Sequence, residues 1–278
     1  MLSFQGQHFG IITKHEKEHI IGPLLQQAFG ATYERIDFDT DTLGTFSGEV
    51  ERPADQHTTA MLKVQQAQQK NIDFYIASEG AFYPHPEVPF LTVNTELLVC
   101  YAAQANYTIT ATSNSFDVTA AQSIASNWED VAAFATAIGF PAQGVILHNH
   151  HLTVNERIIV KDATTWQALE AACKELLAAN ASVTVMADLR AMRNPKRRTH
   201  IAAVAANLIE RMQQHCKVCG YPGFGISKAI AGLPCCWCGT PTKAVAYYEM
   251  ACEHCGHTDQ QKTSQPCADP GGCDVCNP

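Results

Sequence analysis

Hydrophobic and polar positions along this chain follow two periods, and the period switches repeatedly over the first two hundred residues. HFGIIT at 8–13 is a short apolar run of strand length, and YERIDF at 33–38 is interpreted as a second strand. Between them, apolar residues recur three and four positions apart, which predicts a helix with one buried face. That face comprises Ile20, Ile21, Leu24, Leu25 and Ala28. Strands that alternate with helices in this way are typical of layered α/β folds.

The same alternation continues to about residue 212. The patterns predict helices at 58–70, 128–139 and 164–179, and strands at 73–80, 90–101, 107–113, 144–148, 152–160 and 182–188. A last helix should begin at Asn194-Pro195, because Asn is a favoured N-cap and Pro is favoured at the first helical position. Its buried face comprises Ile201, Val204, Leu208 and Met212. For residues 1–212 we therefore predict an α/β domain with a mixed sheet and flanking helices.

Composition makes this an ordinary globular chain. It has 278 residues, of which 46% are hydrophobic and 17% charged, with a net charge of −8. No apolar run reaches the roughly 20 residues of a membrane span, and the acidity offers no general attraction to nucleic acid or anionic lipid. The N-terminus also lacks the basic start and apolar stretch of a secretory signal. We expect a cytoplasmic protein without a membrane or nucleic-acid partner.

Four Cys-x-x-Cys pairs occupy the last quarter of the chain: Cys216/Cys219, Cys235/Cys238, Cys252/Cys255 and Cys273/Cys276. Such a pair lets a tight backbone turn aim two sulfurs at one metal ion, and a glycine follows the second cysteine in three of the four pairs. Disulfides or free structural cysteines are the alternatives, but disulfides need an oxidising compartment. The pattern predicts two structural zinc ions in a small zinc-ribbon-like module at 213–278.

The spacing leaves the grouping of these pairs open. Fifteen residues separate Cys219 from Cys235 and 17 separate Cys255 from Cys273, so neighbouring pairs could each share an ion. We favour a nested arrangement, because the segment GTPTKAVAYYEMA at 239–251 has the pattern of a strand between two knuckles. The second and third pairs would then hold an inner zinc, and the first and last pairs an outer one. Four sulfurs leave no open position at either ion, so both should be structural.

The remaining features of the tail indicate neither catalysis nor nucleic-acid binding. From Arg211 onward there are five Lys or Arg and five Asp or Glu, which gives no basic surface for phosphates. Cys236 and Cys267 are left over as spare thiols, while Cys100 and Cys173 lie in apolar stretches and should be core residues. The chemistry of this protein is therefore expected in residues 1–212.

The first polar cluster there is Thr13-Lys14-His15-Glu16-Lys17, between the first strand and its helix. In open α/β folds this position binds anions, because free helix N–H groups face the ligand. Lysines at a helix N-terminus oppose the helix dipole, which favours a functional reason for them over a merely solvated helical turn.

The second cluster is an acidic loop at 37–51, which carries five acids and no base before Arg52. Carboxylates this dense repel one another unless they are solvated or bind a hard cation such as magnesium. Ser78-Glu79-Gly80, expected at a strand end, adds a further carboxylate, with His85 nearby on a proline-constrained loop. Glu79 or His85 could be a metal ligand or a general base, or merely part of a capped strand end.

The third cluster has five positive charges within nine residues, from Arg190 to Arg198, between a strand and the last helix. Arginine forks at a helix entry suit phosphate or carboxylate, although a solvated basic face would have the same composition. His148-Asn149-His150-His151 lies between two predicted strands and is interpreted as a polar turn.

Two resemblances add to this interpretation. The whole chain, with TKHEKE, DTDTLGTFSGEVER, SEGAF, DLRAMRNP and the cysteine tail ending in CNP, resembles a bacterial family of unknown function. About the first 115 residues resemble the inosine/xanthosine triphosphatases, in the strand, the Thr-and-Lys turn, the acidic loop and the strand ending near Glu79. That resemblance implies phosphate contacts from Lys14 or Lys17 and from Lys63. It also implies that Glu49 or Glu51, and Glu79, lie near magnesium.

Three functions are compatible with these patterns. The favoured one is a magnesium-dependent hydrolase of a nucleotide or other phosphorylated small molecule, in which a metal-bound water attacks. Its catalytic acids, which hold the metal, would be Asp41, Glu49 and Glu79; its phosphate ligands would be Lys14, Lys17, Lys63, Arg190 and Arg197. The alternatives are a sensor that binds a phosphorylated ligand without chemistry, and a zinc-stapled scaffold for protein interaction.

Overall fold

The computed structural model describes residues 2–46, 48–69, 71–149 and 157–278. Its helices are α1 (Glu18–Phe29), α2 (Gln56–Ala67), α3 (Trp128–Ile138), α4 (Trp166–Ala179) and α5 (Pro195–Gln213). Its strands are β1 (His8–Ile12), β2 (Thr32–Ile36), β3 (Phe74–Pro84), β4 (Thr92–Ala102), β5 (Tyr107–Ser115), β6 (Gln122–Ala125), β7 (Val145–His148), β8 (Ile159–Val160), β9 (Val183–Ala187), β10 (Gly225–Ala231), β11 (Val245–Ala251) and β12 (Thr258–Lys262). These elements confirm the predicted mixed α/β fold.

The chain divides into two compact units. One is Gln5–Leu208, and the other is Ile209–Pro278 with the N-terminal residues up to Phe4. The division falls inside α5. No helix in the described parts of the chain has the length and apolarity that crossing a membrane requires.

The larger unit contains two sheets. The first has the order β2-β1-β3-β4-β5, in which β1 is parallel to β2 and β3, while β4 is antiparallel to both β3 and β5. The apolar face of α2 packs on this sheet through Ala60 and Val64, beside Ile12, Ile36 and Tyr75. Because β1 and β3 are parallel neighbours, the turn after β1 lies at the same edge of the sheet as the second half of β3.

The second sheet has the order β6-β9-β7-β8, and all its pairings are antiparallel. Helices α3 and α4 cover it and share one apolar core with its central strands. The rings of Trp128 and Phe140 both pack edge-on against Trp166. Asn127 and Thr165 cap the two helices by accepting hydrogen bonds from the backbone N–H groups of Asp130 and Ala168, as their N-cap chemistry favours.

The smaller unit is built on the antiparallel sheet β10-β11-β12. The predicted strand between the second and third cysteine pairs is present as β11. Its partner β12 has the sequence TDQQK, which carries no apolar alternation and was not predicted. This sheet decides how the cysteine pairs are grouped.

Two further predictions need correction or restriction. We expected Glu79 at a strand end, but β3 continues through it to Pro84, because β4 pairs with β3 along its whole length. The predicted strand at 152–160 lies mainly outside the described residues, as do His150 and His151; its described end forms β8.

Candidate functional site

A cleft of about 110 Å³ lies in the larger unit, beside the carboxyl end of β1 and the second half of β3. Its lining includes six of the eight residues that the sequence assigned to the favoured hydrolase site: Lys17, Asp41, Lys63, Glu79, Arg190 and Arg197. The other two lie beside it. Lys14 pairs with Asp41, and Glu49 pairs with the lining residue Lys161. The three separate polar clusters of the sequence thus meet at one place.

Lys17 is held at the start of α1, where it occupies the N-cap position without a side-chain cap. The hydroxyl of Thr13 accepts hydrogen bonds from the backbone N–H groups of His15 and Lys17, at 3.1 and 3.4 Å, and so fixes the turn. The buried ammonium of Lys17 donates to Ser78 Oγ at 2.8 Å. Burial, followed by the positive charges of Arg197 and Lys63, lowers the pKa of Lys17 to about 7.

Glu79 binds two of the cations that line the cleft. Its Oε1 is 2.5 Å from Lys63 Nζ, and its Oε2 is 3.3 Å from an Arg52 guanidinium nitrogen. Lys63 also donates to the carbonyl oxygen of Ser78 at 3.1 Å. Glu79 and Lys63 are both buried and form an ion pair, so the charge of this carboxylate is compensated within the protein.

Asp41 is paired in the same way. One of its oxygens lies 2.7 Å from Lys14 Nζ, and the other lies 3.3 Å from His15 Nε2. Burial alone would raise the pKa of Asp41, but the Lys14 hydrogen bond and the neighbouring His15 lower it. The pKa of His15 is itself lowered to about 4, by burial and then by the charge of Lys17. At neutral pH His15 is therefore uncharged, and Asp41 is an ionised carboxylate.

The two arginines from the third cluster are anchored by acids that lie outside the lining. Arg190 donates to both carboxylate oxygens of Asp188 and to Asp162 at 2.8 Å. Arg197 donates to the two oxygens of Glu96, at 2.7 and 3.2 Å, and to the carbonyl oxygen of Leu189 at 2.6 Å. Because most of its donors are used inside the protein, Arg197 forms a wall of the cleft.

A chain of buried hydrogen bonds supports that wall from behind. Asn94 Nδ2 donates to Glu96 at 2.9 Å, so its Oδ1 faces His200 Nδ1 at 2.8 Å. His200 Nε2 lies 2.9 Å from Ser113 Oγ. On the cleft side, the Arg197 guanidinium lies 4.5 Å from the centroid of the Phe46 ring, a cation–π distance.

The charged side chains that line the cleft are mainly cationic. Six of its lining residues are Lys or Arg, and two are carboxylates. Five of the cations have an acidic partner: Arg52 and Lys63 with Glu79, Lys161 with Glu49, Arg190 with Asp188, and Arg197 with Glu96. Within the described chain, Lys17 is the one lining cation that has no carboxylate at ion-pair distance.

Four of the five acids of the acidic loop pair with lysine or arginine instead of forming a metal site. Asp37 pairs with Arg35, Asp39 and Asp41 share Lys14, and Glu49 binds Lys161. Among residues 2–46, 48–69, 71–149 and 157–278, the groups with three or more converging metal ligands are both made of cysteine. Asp41, Glu49 and Glu79 do not form such a group.

Two lining residues were not identified from the sequence. Arg52 was noted only as the base that ends the acidic loop, yet it binds Glu79 and also donates to the carbonyl oxygen of Gly80. Lys161 lies far along the chain as an isolated lysine after an apolar run, and no local pattern distinguishes it. His15 was seen within its cluster but received no role.

The eight paired cysteines form two groups in the smaller unit. One contains Cys216, Cys219, Cys252 and Cys255; the other contains Cys235, Cys238, Cys273 and Cys276. Sulfur–sulfur distances of 3.6 to 3.8 Å link the members. Four sulfurs each about 2.3 Å from a central ion form a tetrahedron with edges of about 3.8 Å, so both groups fit zinc.

This grouping corrects the nested arrangement that we favoured, and it is not the sequential one either. The first pair shares its group with the third, and the second with the fourth. The antiparallel sheet is the reason. The start of β10 lies beside the end of β11, which brings the first and third pairs to one end. The end of β10 lies beside the start of β11, whose other neighbour is the end of β12, so the second and fourth pairs meet at the opposite end.

The left-over cysteines differ from one another. Cys236 and Cys267 form a disulfide, which corrects our expectation of spare thiols. They are brought together because the backbone N–H of Cys236 donates to Ala268 O at 3.0 Å, and that of Ala268 to Pro234 O at 2.8 Å. Cys100 and Cys173 are free and buried in the larger unit, as their apolar surroundings predicted.

The comparisons with known proteins place the chain in a family without supplying an activity. A family model described as a domain of unknown function, DUF6671, matches residues 63–278. No curated protein and no solved structure matches the chain. The resemblance to the inosine/xanthosine triphosphatases thus gains no support from these comparisons. The match, which spans most of the chain and includes all four cysteine pairs, makes this protein a member of the DUF6671 family.

Proposed function

We propose that the larger unit is a hydrolase that binds a phosphorylated small molecule in the cationic cleft and releases phosphate from it. The observation that carries this proposal is the lining, which offers six Lys or Arg side chains against two carboxylates. These side chains present N–H donors to the cleft, although acids next to them balance most of their charge. Guanidinium and ammonium groups are also the donors that bind phosphate oxygens most strongly.

In this proposal, magnesium binds to the phosphates of the ligand and arrives with them. Each of the predicted acids is already paired with Lys or Arg, so a three-carboxylate site would first have to break those ion pairs. Mg²⁺ usually keeps several waters and is shared between substrate phosphates and one or two carboxylates. Asp41 or Glu79 could supply such a single contact from the lining of the cleft.

Binding is tested with pyrophosphate, nucleoside triphosphates and sugar phosphates, with and without magnesium, by calorimetry and by the shift in melting temperature. Lys161→Met should weaken binding of the strongest ligand by a factor of about 10 to 100, since one charge-assisted hydrogen bond contributes about 1.5 to 3 kcal/mol. Lys174→Met is the matched control, because Lys174 is an exposed lysine of the same unit with one ion-pair partner, Glu170. It should bind as the natural chain does.

Phosphate release separates the hydrolase from a sensor. Turnover of a bound ligand supports the full proposal, whereas tight binding without release would leave only the sensor. If no member of the panel binds, or if Lys161→Met and Lys174→Met bind equally well, the cleft is not a phosphate site.

We propose zinc as the ion of both cysteine groups, with a structural role. Each group supplies four sulfurs and leaves no coordination position for a substrate. Metal analysis of the reduced, purified protein should find about two zinc ions per chain. The absence of bound zinc would contradict this assignment.

A further inference from the structure

We infer that Lys17 is a reactive amine that forms an imine with the carbonyl group of an anionic ligand, so that the ligand class of the cleft is a phosphorylated aldehyde or ketone. This inference rests on the anion-binding part of the proposed function and adds a second chemical group to the ligand. An open-chain sugar phosphate combines both groups in one small molecule.

The position of Lys17 is the first support. Its Nζ and that of Lys63 bind the same residue, Ser78, one at the hydroxyl and the other at the carbonyl oxygen. The buried guanidinium of Arg197 belongs to the same lining. Of these three cations, Lys63 and Arg197 hold a carboxylate, while Lys17 holds only a hydroxyl.

The electrostatic consequence is a fraction of uncharged amine at neutral pH. The charged groups that act on Lys17 are Arg197 and Lys63, which disfavour its ammonium form, and Glu96 and Glu79, which favour it. Both acids are already bound to cations, and burial outweighs their effect. A buried lysine without a carboxylate partner relieves its desolvation by releasing a proton, and such lysines are the ones that form Schiff bases.

The second support is the difference between Lys17 and the other cations that line the cleft. Arg52, Lys63, Lys161 and Arg190 each form an ion pair with an acid and can donate hydrogen bonds to phosphate oxygens. A cation that only bound an anionic ligand would also be stabilised by an acidic partner. Lys17 has no such partner among the described residues, and the lone pair of its neutral amine can attack a carbon electrophile. A ligand held at both ends would keep its phosphate in one orientation, which is how positioning contributes to catalysis.

The reaction is balanced without a further reagent. The nitrogen lone pair of the neutral Lys17 amine attacks the carbonyl carbon, and one nitrogen proton moves to the carbonyl oxygen to give the carbinolamine. The C–O bond then breaks, the hydroxyl leaves as water with the second nitrogen proton, and the C=N bond of the imine forms. Water reverses these steps and returns the free amine. A hydride donor added in the experiment reduces the imine to a stable secondary amine.

The probe is pyridoxal 5′-phosphate, an aldehyde that carries a phosphate, applied to the full chain with sodium cyanoborohydride. Peptide mapping follows the labelling of Lys17 and of the exposed Lys174 between pH 6 and pH 10. Lys17 should react at least about ten-fold faster than Lys174 at pH 7. Its pKa is about 7, against an ordinary lysine value of 10.5 that is raised further at Lys174, which gives about a thousand times more neutral amine or more; the burial and lower basicity of Lys17 offset part of this gain. Its rate should reach half of its maximum near pH 7, whereas that of Lys174 should keep rising to pH 10.

Two further arms keep the inference apart from the proposed function. Pyridoxal, which lacks the phosphate, should label Lys17 about ten-fold more slowly, and pyrophosphate should protect Lys17, because both results require the anion site. If pyrophosphate binds by calorimetry but Lys17 reacts no faster than Lys174, the inference is wrong and the phosphate site stands. If pyridoxal labels Lys17 as fast as its phosphate does, the anionic ligand class is wrong. If pyrophosphate does not bind at all, the proposed function fails as well.

Discussion

In both the cysteine module and the cationic cleft, it is difficult to predict from the sequence which residues come together, but the reason differs between the two. In the module, every ligand is visible in the sequence as one of four local pairs, yet the grouping depends on which strand ends meet. In the cleft, the residues are scattered from Thr13 to Arg197, and their convergence follows from the order of the strands. Local sequence therefore identifies chemical groups, while topology determines their partners.

The largest effect that would test this comparison is the loss of a metal ion. Cys216→Ser/Cys255→Ser should lose one zinc per chain, because both residues belong to one group, whereas Cys216→Ser/Cys276→Ser should lose two. Zinc binding in such small modules contributes about 10 kcal/mol or more to folding, so the second variant should also unfold more of the smaller unit. Native mass spectrometry counts the ions. A single lost ion in Cys216→Ser/Cys276→Ser would restore the nested arrangement.

The next effect concerns the paired cation of the cleft wall. Arg197→Met leaves Glu96 fully buried without its cation and should lower the free energy of unfolding by about 3 to 5 kcal/mol. Urea unfolding of the natural chain and the variant measures the difference. Arg197→Met/Glu96→Gln should recover part of the loss, since no uncompensated charge then remains. A loss below about 1 kcal/mol for the single variant would mean that Glu96 accepts other partners.

Lys17→Met should have the opposite sign. Removing a buried ammonium without a carboxylate partner should raise the free energy of unfolding at pH 7, by about 1 to 4 kcal/mol. The pKa of Lys17 is about 7 in the folded protein and near 10.5 when unfolded, so the unfolded chain holds more protons between these values. The natural chain should therefore gain stability as pH rises from 7 to 10.5, and the advantage of the variant should fall. Lys17→Met less stable than the natural chain at pH 7 would show that a counter-charge exists.

The smallest effect tests the local part of the comparison. Gly239 follows a cysteine pair with a φ of +75°, which an L-residue adopts only with strain. Gly239→Ala should lower the stability of the smaller unit by about 1 kcal/mol. Gly272→Ala is the control, because its added methyl group meets open space and its φ is not positive. Thermal melting of the smaller unit compares the two, and equal melting temperatures would remove the conformational argument.

Sequence patterns predicted those elements whose apolar residues face one core. The period of α5 identified Ile201, Val204, Leu208 and Met212, all of which are buried. By contrast, β12 is entirely exposed. Its residues do not face a core, so their sequence shows no pattern of apolar positions. β3 was predicted too short, because its last four residues are half-exposed or exposed and their strand conformation depends on pairing with β4.

The candidate site was predictable as a set of chemical groups but not as a set of interactions. The acidic loop suggested magnesium because no base occurs within it, yet its counter-charges come from Lys14 and Lys161, which lie before and far after it. Lys17 and Lys63 were singled out as equivalent phosphate ligands. They differ because Glu79 reaches Lys63 and not Lys17, a distinction that no local pattern contains.

The alternating membership of the two cysteine groups has a consequence for how the chain is made. During synthesis, the first cysteine group is complete once Cys255 has left the ribosome. Cys235 and Cys238 have also emerged by then and still lack the other two cysteines of their group. Those two thiols must stay reduced and unliganded until Cys273 and Cys276 arrive, some twenty residues later. The stretch from Cys235 to Cys255 belongs to both metal-closed loops, so the first ion to bind already restricts the chain that the second ion will close.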